Sequence, residues 1–231
     1  MRVLVIRHHD VDSAGFIGGA FEARGAEITV HLVTEDGPLP DPAGFDHVVV
    51  LGAISSVNDA DAWIADELAW LRRADEAGVP VLGICFGAQA LCAAFGGRVE
   101  AMPGKEIGWR PVESLAPDVV PAGPWLEFHG DRCLLPPQAR LLARNEIGVQ
   151  AFTIDRHLAV QFHPEVDGPQ LKYWLDAGGD REAERVDLDP GQFLADTIRE
   201  EPAAKLRADD LVAVALRLAP PVHLTPPSAW Q

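Results

Sequence analysis

Two periodicities alternate along the first half of the chain. Val3 to Ile6 is an unbroken apolar run, and Gly15 to Arg24 follows with helical spacing. Ile28-Thr29-Val30-His31-Leu32 and Val48-Val49-Val50-Leu51 are short, rich in β-branched residues and bounded by Gly, Asp or Pro, the pattern of strands. Trp63, Ile64, Leu68 and Leu71 fall on one helical stripe, with Asn58 or Asp59 as the expected cap and Gly78 and Pro80 as the stop. Val81 to Ile84 is another buried-strand run, and Ala88 to Phe95 resumes helical character. Strands that are apolar on both faces and alternate with helices predict an α/β fold with a mainly parallel central sheet flanked by helices.

The pattern changes in the second half. From Arg98 to Phe162 the segments read as short, proline-punctuated strands. Val149 to Ile154 and Leu158 to Phe162, joined around Asp155-Arg156, predict a small antiparallel element. After Asp167 the pattern is helical again: Asp189-Pro190 reads as a helix start, and Leu211 to Leu218 as an apolar helical stretch. The expected organisation is a main domain over 1–170, a helical C-terminal appendage of the same domain over 171–218, and an irregular, proline-rich tail over 219–231.

Charge and composition narrow the function. Nineteen Lys+Arg against 35 Asp+Glu give the 231-residue chain a net charge of −16, with no basic run to offset it. Phosphate is repelled by such a mean field, so neither nucleic acid nor an anionic membrane surface is an expected partner. No apolar stretch reaches the roughly 18 residues of a membrane span, and Met1 to Arg7 reads as a first strand rather than a leader. The three cysteines, Cys85, Cys92 and Cys133, show no C-x-x-C spacing. A disulfide framework or zinc site is not expected, and a cytoplasmic location is the default.

The chemistry concentrates in Val81-Leu82-Gly83-Ile84-Cys85-Phe86-Gly87-Ala88-Gln89, a strand ending in G-x-C-x-G and running straight into a helix. This is the pattern of a nucleophile elbow, with glycines where a Cβ would strike neighbouring backbone. At a helix N-terminus the thiol of Cys85 is pushed toward thiolate, and the Phe86 N–H points where an oxyanion would form. A buried free cysteine beside a tight turn explains the same segment. Gln161-Phe162-His163-Pro164-Glu165 supplies what the elbow lacks. His163 and Glu165 are two apart, so on extended backbone both project to one side, and Pro164 keeps His163 extended. A base and the carboxylate that orients it thus come from one tripeptide.

These segments, together with Leu51-Gly52-Ala53-Ile54-Ser55-Ser56-Val57-Asn58-Asp59, Glu106-Ile107-Gly108-Trp109 and Phe128-His129-Gly130-Asp131, resemble the class I glutamine amidotransferases of the Cys-His-Glu type. The resemblance runs from about Met1 to Leu218 and implies their flavodoxin-like layered fold. It implies Cys85 as nucleophile, His163 as general base and acid, and Glu165 as its orienting partner. Glutamine would be cleaved through a γ-glutamyl thioester, releasing ammonia and then glutamate, without metal or other cofactor. The oxyanion hole would combine Phe86 with Gly52 and Ala53. The family often has a second glycine at the Ala53 position, and alanine resists positive φ, so a restricted loop peptide is expected. Gln89, one helical turn beyond Cys85, would contact the substrate, and the His129-Gly130-Asp131 loop would meet its α-amino and carboxylate groups.

The remaining candidates read more plainly. His8 and His9 are expected in a loop at the carboxyl end of the sheet, near the rim of the site. Cys92 reads as core packing, Cys133 has no partner at readable spacing, and the acidic residues from Asp176 to Asp189 read as a solvated face. Trp109 is singled out because its segment resembles one near the substrate. Three functions follow: a glutaminase feeding a separate ammonia-accepting synthase subunit, a free-standing hydrolase of γ-glutamyl conjugates, or a non-catalytic regulatory or binding subunit.

Overall fold

Strict two-residue alternation sorts the first strand, β1 (Arg2–Arg7), between two layers. Val3 and Val5 enter one hydrophobic cluster, whereas Leu4 and Ile6 enter another on the opposite face. The computed structural model describes residues 1–218, so the expected tail over 219–231 lies outside the described residues. After β1 come α1 (Gly15–Glu22), β2 (Glu27–Leu32), β3 (His47–Val50), α2 (Ala62–Glu76), β4 (Val81–Ile84) and α3 (Phe86–Ala94). The second half adds β5 (Arg98–Ser114), β6 (Gly123–Leu134), β7 (Arg140–Arg144), β8 (Val149–Ile154) and β9 (His157–Val160). Three α-helices end the described part of the chain: α4 (Gly168–Trp174), α5 (Asp180–Glu184) and α6 (Pro190–Leu218).

The strands form one nine-stranded sheet in the order β2-β1-β3-β4-β9-β8-β7-β5-β6. Neighbours from β2 to β9 are parallel, and those from β9 to β6 are antiparallel. The predicted hairpin is β8–β9, joined by Asp155 at φ +49°. The antiparallel region is more extensive than the proline pattern suggested, because β5 and β6 run for 17 and 12 residues. Pro103 falls where the β5–β6 register shifts between Ala101 and Glu106, and Pro111 faces Pro124 on one rung. The prolines therefore cluster at a bulge and a single rung instead of breaking the strands.

Helices α1 and α6 cover one face and α2 and α3 the other. Leu211, Val212, Val214 and Ala215 of α6 join the cluster containing Val3, Val5 and Ile17. Trp70 and Leu71 of α2 and Leu91 of α3 join Leu4, Ile6 and Val50. A third cluster (Ile107, Leu126, Leu171, Leu175 and Phe193) ties β5–β6 to the C-terminal helices. Asp189 caps α6 as expected, accepting from the Gln192 N–H at 2.7 Å. The expected caps of α2 do other work: Asn58 donates to Val99 O and Asp59 accepts from Ser56 N, and Asp61 stands at the N-cap without a side-chain bond. No helix among the described residues is long and apolar enough to cross a membrane.

Candidate active site

Strand order explains why residues far apart in sequence meet. β3, β4 and β9 are adjacent and parallel, so the segments leaving their carboxyl ends emerge side by side. These segments begin with Leu51-Gly52 after β3, Cys85 after β4, and Gln161 to Glu165 after β9. A backbone bond from Cys85 N to Val160 O, 2.9 Å, ties the second to the third.

Cys85 adopts φ +52° and ψ −104°, a conformation that costs a non-glycine residue strain. The close approach of β3, β4 and α3 holds it there. A Cβ at Gly83 would lie 2.5 Å from Gly87 O, and one at Gly87 would lie 2.3 Å from Val50 O. Both positions therefore need glycine for space. The strained turn puts Cys85 at the N-cap of α3, with its side chain lining a cavity of about 620 Å³.

His163 is buried, and its backbone N–H donates to Leu126 O at 2.8 Å. Nδ1 lies 2.7 Å from Glu165 Oε1, so the expected same-side projection is realised. Among the described residues Nε2 has no hydrogen-bond partner, and it is left for the Cys85 side. Complete burial works against a charged imidazole, but the charges of Glu165 and then Cys85 outweigh it and hold His163 well above its ordinary value of 6.5. The ring packs edge-on against Trp174, centroids 4.9 Å apart. Behind Glu165, the start of α1 acts as a backbone clamp: Phe16 N donates to Glu165 O at 3.0 Å, and Gly15 sits so close that a Cβ would be 1.9 Å from that oxygen.

Gly52 and Ala53 both line the cavity, and neither has positive φ. Space is tight at 52: a Cβ would be 3.1 Å from His163 Cε1 and 3.7 Å from the Cys85 Cβ, so the imidazole would have to give by a few tenths of an ångström. The observed peptide is thus compatible with alanine at 53. Gln89 is buried, lines the cavity and donates through Nε2 to Gln161 Oε1 at 3.3 Å.

His129, Gly130 and Asp131 also line the cavity, but they lie within β6 instead of the expected loop. The pairing of His129 with Glu106 across the ladder makes this segment strand. The Asp131 carboxylate accepts from Ser56 Oγ at 2.6 Å. His129 is buried with Nδ1 2.8 Å from Asp131 O and Nε2 3.1 Å from Glu106 Oε2, with Glu127 Oε2 at 3.3 Å. A carbonyl on one side and carboxylates on the other accept only, so both ring nitrogens donate and the ring is an imidazolium. Burial opposes that charge, yet Glu106 and Glu127 raise His129 to about 10. The donor atoms of Glu106, Glu127 and His129 lie within 4.8 Å of one another, a spacing compatible with a metal, but here they share the imidazolium proton.

Several residues at or near the site were not singled out in the sequence. Asp12 lines the cavity, held by Trp174 Nε1 at 3.1 Å, and burial pushes its carboxyl up. Lys105 and Glu182 form a 2.9 Å ion pair on the cavity wall, so Glu182 is more than part of a solvated face. His8 is not a rim residue: it is buried between Gly52 O and Glu67, and only His9 reaches the cavity. A signal for this pair existed in the sequence, because Glu67 falls between Ile64 and Leu71 on the apolar stripe of α2, where a charge needs a partner. Trp109 is not among the cavity-lining residues; its Nε1 donates to Thr197 Oγ1 at 2.9 Å and pins β5 to α6. Cys92 and Cys133 are buried in the same hydrophobic cluster.

Comparison with known proteins bears on this geometry. The model of the family described as glutamine amidotransferase class-I matches residues 16–175. A GMP synthase [glutamine-hydrolyzing] of Thermomicrobium roseum is 36% identical over 154 residues, covering 64% of this chain and 29% of that protein. One from Alkalilimnicola ehrlichii is 40% identical over 109 residues, covering 39% of this chain and 21% of its own. The chain thus spans less than a third of the length of these relatives. A glutamine amidotransferase structure from Thermotoga maritima superposes with a TM-score of 0.85 at 27% identity, covering 94% of this chain and 98% of that one. A glutamine amidotransferase from Methylobacillus flagellatus, at 24% identity and TM-score 0.85 over 95% of both chains, shares the fold.

Proposed function

The chain belongs to the class-I glutamine amidotransferase family, and on that premise we propose that it hydrolyses the γ-carboxamide of glutamine through a thioester on Cys85. The observation that carries the reading is the His163–Glu165 bond of 2.7 Å beside a cysteine held on a strained elbow. His163 takes the thiol proton, and the Cys85 sulfur attacks the amide carbon. Negative charge develops on the carbonyl oxygen, where the N–H groups of Phe86 and Ala53 serve as donors. His163 then passes its proton to the departing nitrogen, and ammonia leaves the γ-glutamyl thioester. Water, deprotonated by His163, attacks that thioester and releases glutamate and the free thiol. Glu165 keeps the productive ring nitrogen facing Cys85 throughout.

Gln89 and the β6 residues His129, Gly130 and Asp131 line the path to Cys85 and are the proposed contacts for the substrate's polar groups. The ammonia acceptor is a separate synthase subunit in this reading. The wider cavity favours a second one. Its volume of about 620 Å³ lies within the range of about 300–1,000 Å³ typical of larger ligands, leaving room for a γ-glutamyl conjugate whose leaving group is a bulkier amine.

Purified chain incubated separately with glutamine and with γ-glutamyl dipeptides, with Cys85→Ser as control, separates the two. Ammonia release from glutamine that the Cys85→Ser protein lacks supports a glutaminase. Preferential release of amino acids from the dipeptides supports the hydrolase. Turnover equal in wild type and Cys85→Ser refutes both.

A further inference from the structure

One buried titratable pair lies behind the cavity and takes no part in the steps above. His8, just past β1, and Glu67, in α2, are both shielded from solvent, with their side chains 4% and 1% exposed. His8 Nδ1 is 2.9 Å from Gly52 O, and Nε2 is 3.0 Å from Glu67 Oε2. A carbonyl only accepts, so Nδ1 carries a hydrogen and donates it to Gly52. The Nε2–Glu67 bond then needs one further proton, which sits on the ring or on the carboxyl; either way Gly52 O is held. Burial lowers the His8 basicity, but the Glu67 hydrogen bond and charge outweigh it and raise the imidazole above its ordinary value. The ring packs against Trp63 and Phe86, with centroids 5.0 Å and 4.8 Å away. His8 therefore touches both segments that carry the proposed oxyanion donors.

Peptide planarity converts this contact into a statement about the cavity. The Gly52–Ala53 bond is trans, so the Ala53 N–H points opposite to the carbonyl that faces His8. Among the described residues neither the Ala53 N–H nor the Phe86 N–H has a protein acceptor. A reversed peptide would aim a carbonyl oxygen where negative charge has to develop, and glycine at 52 offers little intrinsic resistance to that rotation.

We infer that His8, braced by Glu67, is a positioning residue that fixes the Gly52–Ala53 peptide with its carbonyl turned away from the cavity and the Ala53 N–H presented to the oxyanion. This rests on the reading that Cys85 attacks a γ-glutamyl amide. It adds that the oxyanion site is pre-set by a histidine just past β1, without a partner protein having to turn the peptide.

The full-length chain tests this with wild type, His8→Leu, Glu67→Gln and Cys85→Ser. Steady-state kinetics on whichever γ-glutamyl amide the wild type cleaves are measured beside alkylation of Cys85 by iodoacetamide, which needs a reactive thiol but no oxyanion site. Removing an oxyanion donor outright costs about 10²–10³ in kcat. Loosening one costs less: His8→Leu is expected to lose about ten- to a hundredfold in kcat, with KM and the alkylation rate each staying within about twofold. Glu67→Gln can still bond Nε2 and leave the Nδ1 hydrogen on Gly52, so it keeps most of the kcat that His8→Leu loses. If His8→Leu does not fold, His8→Phe carries the same test, because it keeps a ring against Trp63 and Phe86 but has no donor for Gly52 O. Unchanged kcat overturns the inference, as does a kcat loss matched by an equal loss of alkylation. A wild type that cleaves no γ-glutamyl amide while iodoacetamide still labels Cys85 defeats the parent reading instead, and this one with it.

Discussion

Gly15→Ala places the site's dependence on distant packing under direct test. Gly15 opens α1 and lies 148 residues before His163 in the chain, yet its α-carbon abuts the backbone of Glu165. A Cβ there would stand 1.9 Å from Glu165 O, against a floor of 3.0 Å for real contacts, so at least about 1.1 Å has to open. The atom in the way is backbone, which cannot swing aside as a flexible side chain would. Gly15 also has φ +40°, adding about 1–2 kcal/mol for an L side chain. Overpacking adds about 1–3 kcal/mol, for a total of roughly 2–5 kcal/mol. At about 2–4 °C per kcal/mol for a chain of this size, the melting temperature should fall by about 4–20 °C.

The catalytic consequence should be of comparable size. Glu165 orients His163 through a 2.7 Å bond, and a misplacement near 1 Å can cost about a hundredfold in rate. The assay is kcat on the cleaved amide at a temperature where the variant is folded, beside its thermal melt. Gly19→Ala is the control: it lies in the same helix, has no positive φ and would meet nothing within 4 Å, so it should be neutral or stabilising by up to about 1 kcal/mol. Wild-type kcat and melting temperature in Gly15→Ala would refute the clamp.

Two further outcomes follow from the geometry. His129 is raised from 6.5 to about 10 by its two carboxylates, so its contribution to stability is fully present below pH 6.5 and is lost as pH rises through about 10; wild-type melting temperature should decline across that window more steeply than that of Glu106→Gln, and parallel profiles would contradict the imidazolium. Trp109→Phe removes the hydrogen bond to Thr197 and should cost about 1–2 kcal/mol in a denaturant melt with kcat unchanged, whereas a loss of kcat would return Trp109 to the site.

The parts of this protein written in local sequence are those whose geometry is local. A G-x-C-x-G turn needs glycines at 83 and 87 because strand, turn and helix crowd within a few residues, and those close approaches are what the structure contains. The His163–Glu165 contact needs only two-residue spacing on extended backbone. Parallel strands buried on both faces also announce themselves as continuous apolar runs, as β1, β3 and β4 do. The long β5–β6 ladder was less visible, because prolines that tolerate a bulge look the same in sequence as prolines that end a strand.

What depends on strand order could not be read in advance. That β9 lies against β4 decides that His163 faces Cys85, and that β3 lies on the other side of β4 brings Gly52 to both. His8, expected in a loop, and Glu67, 59 positions further on, meet only because α2 packs across the sheet and buries them together. Placement of 128–131 in a strand rather than a loop, and of Trp109 against α6, likewise follow from pairing and packing partners. The chain encodes short-range backbone geometry directly, residue by residue. Contacts between distant segments exist only once many weak burial terms have chosen one arrangement of the layers.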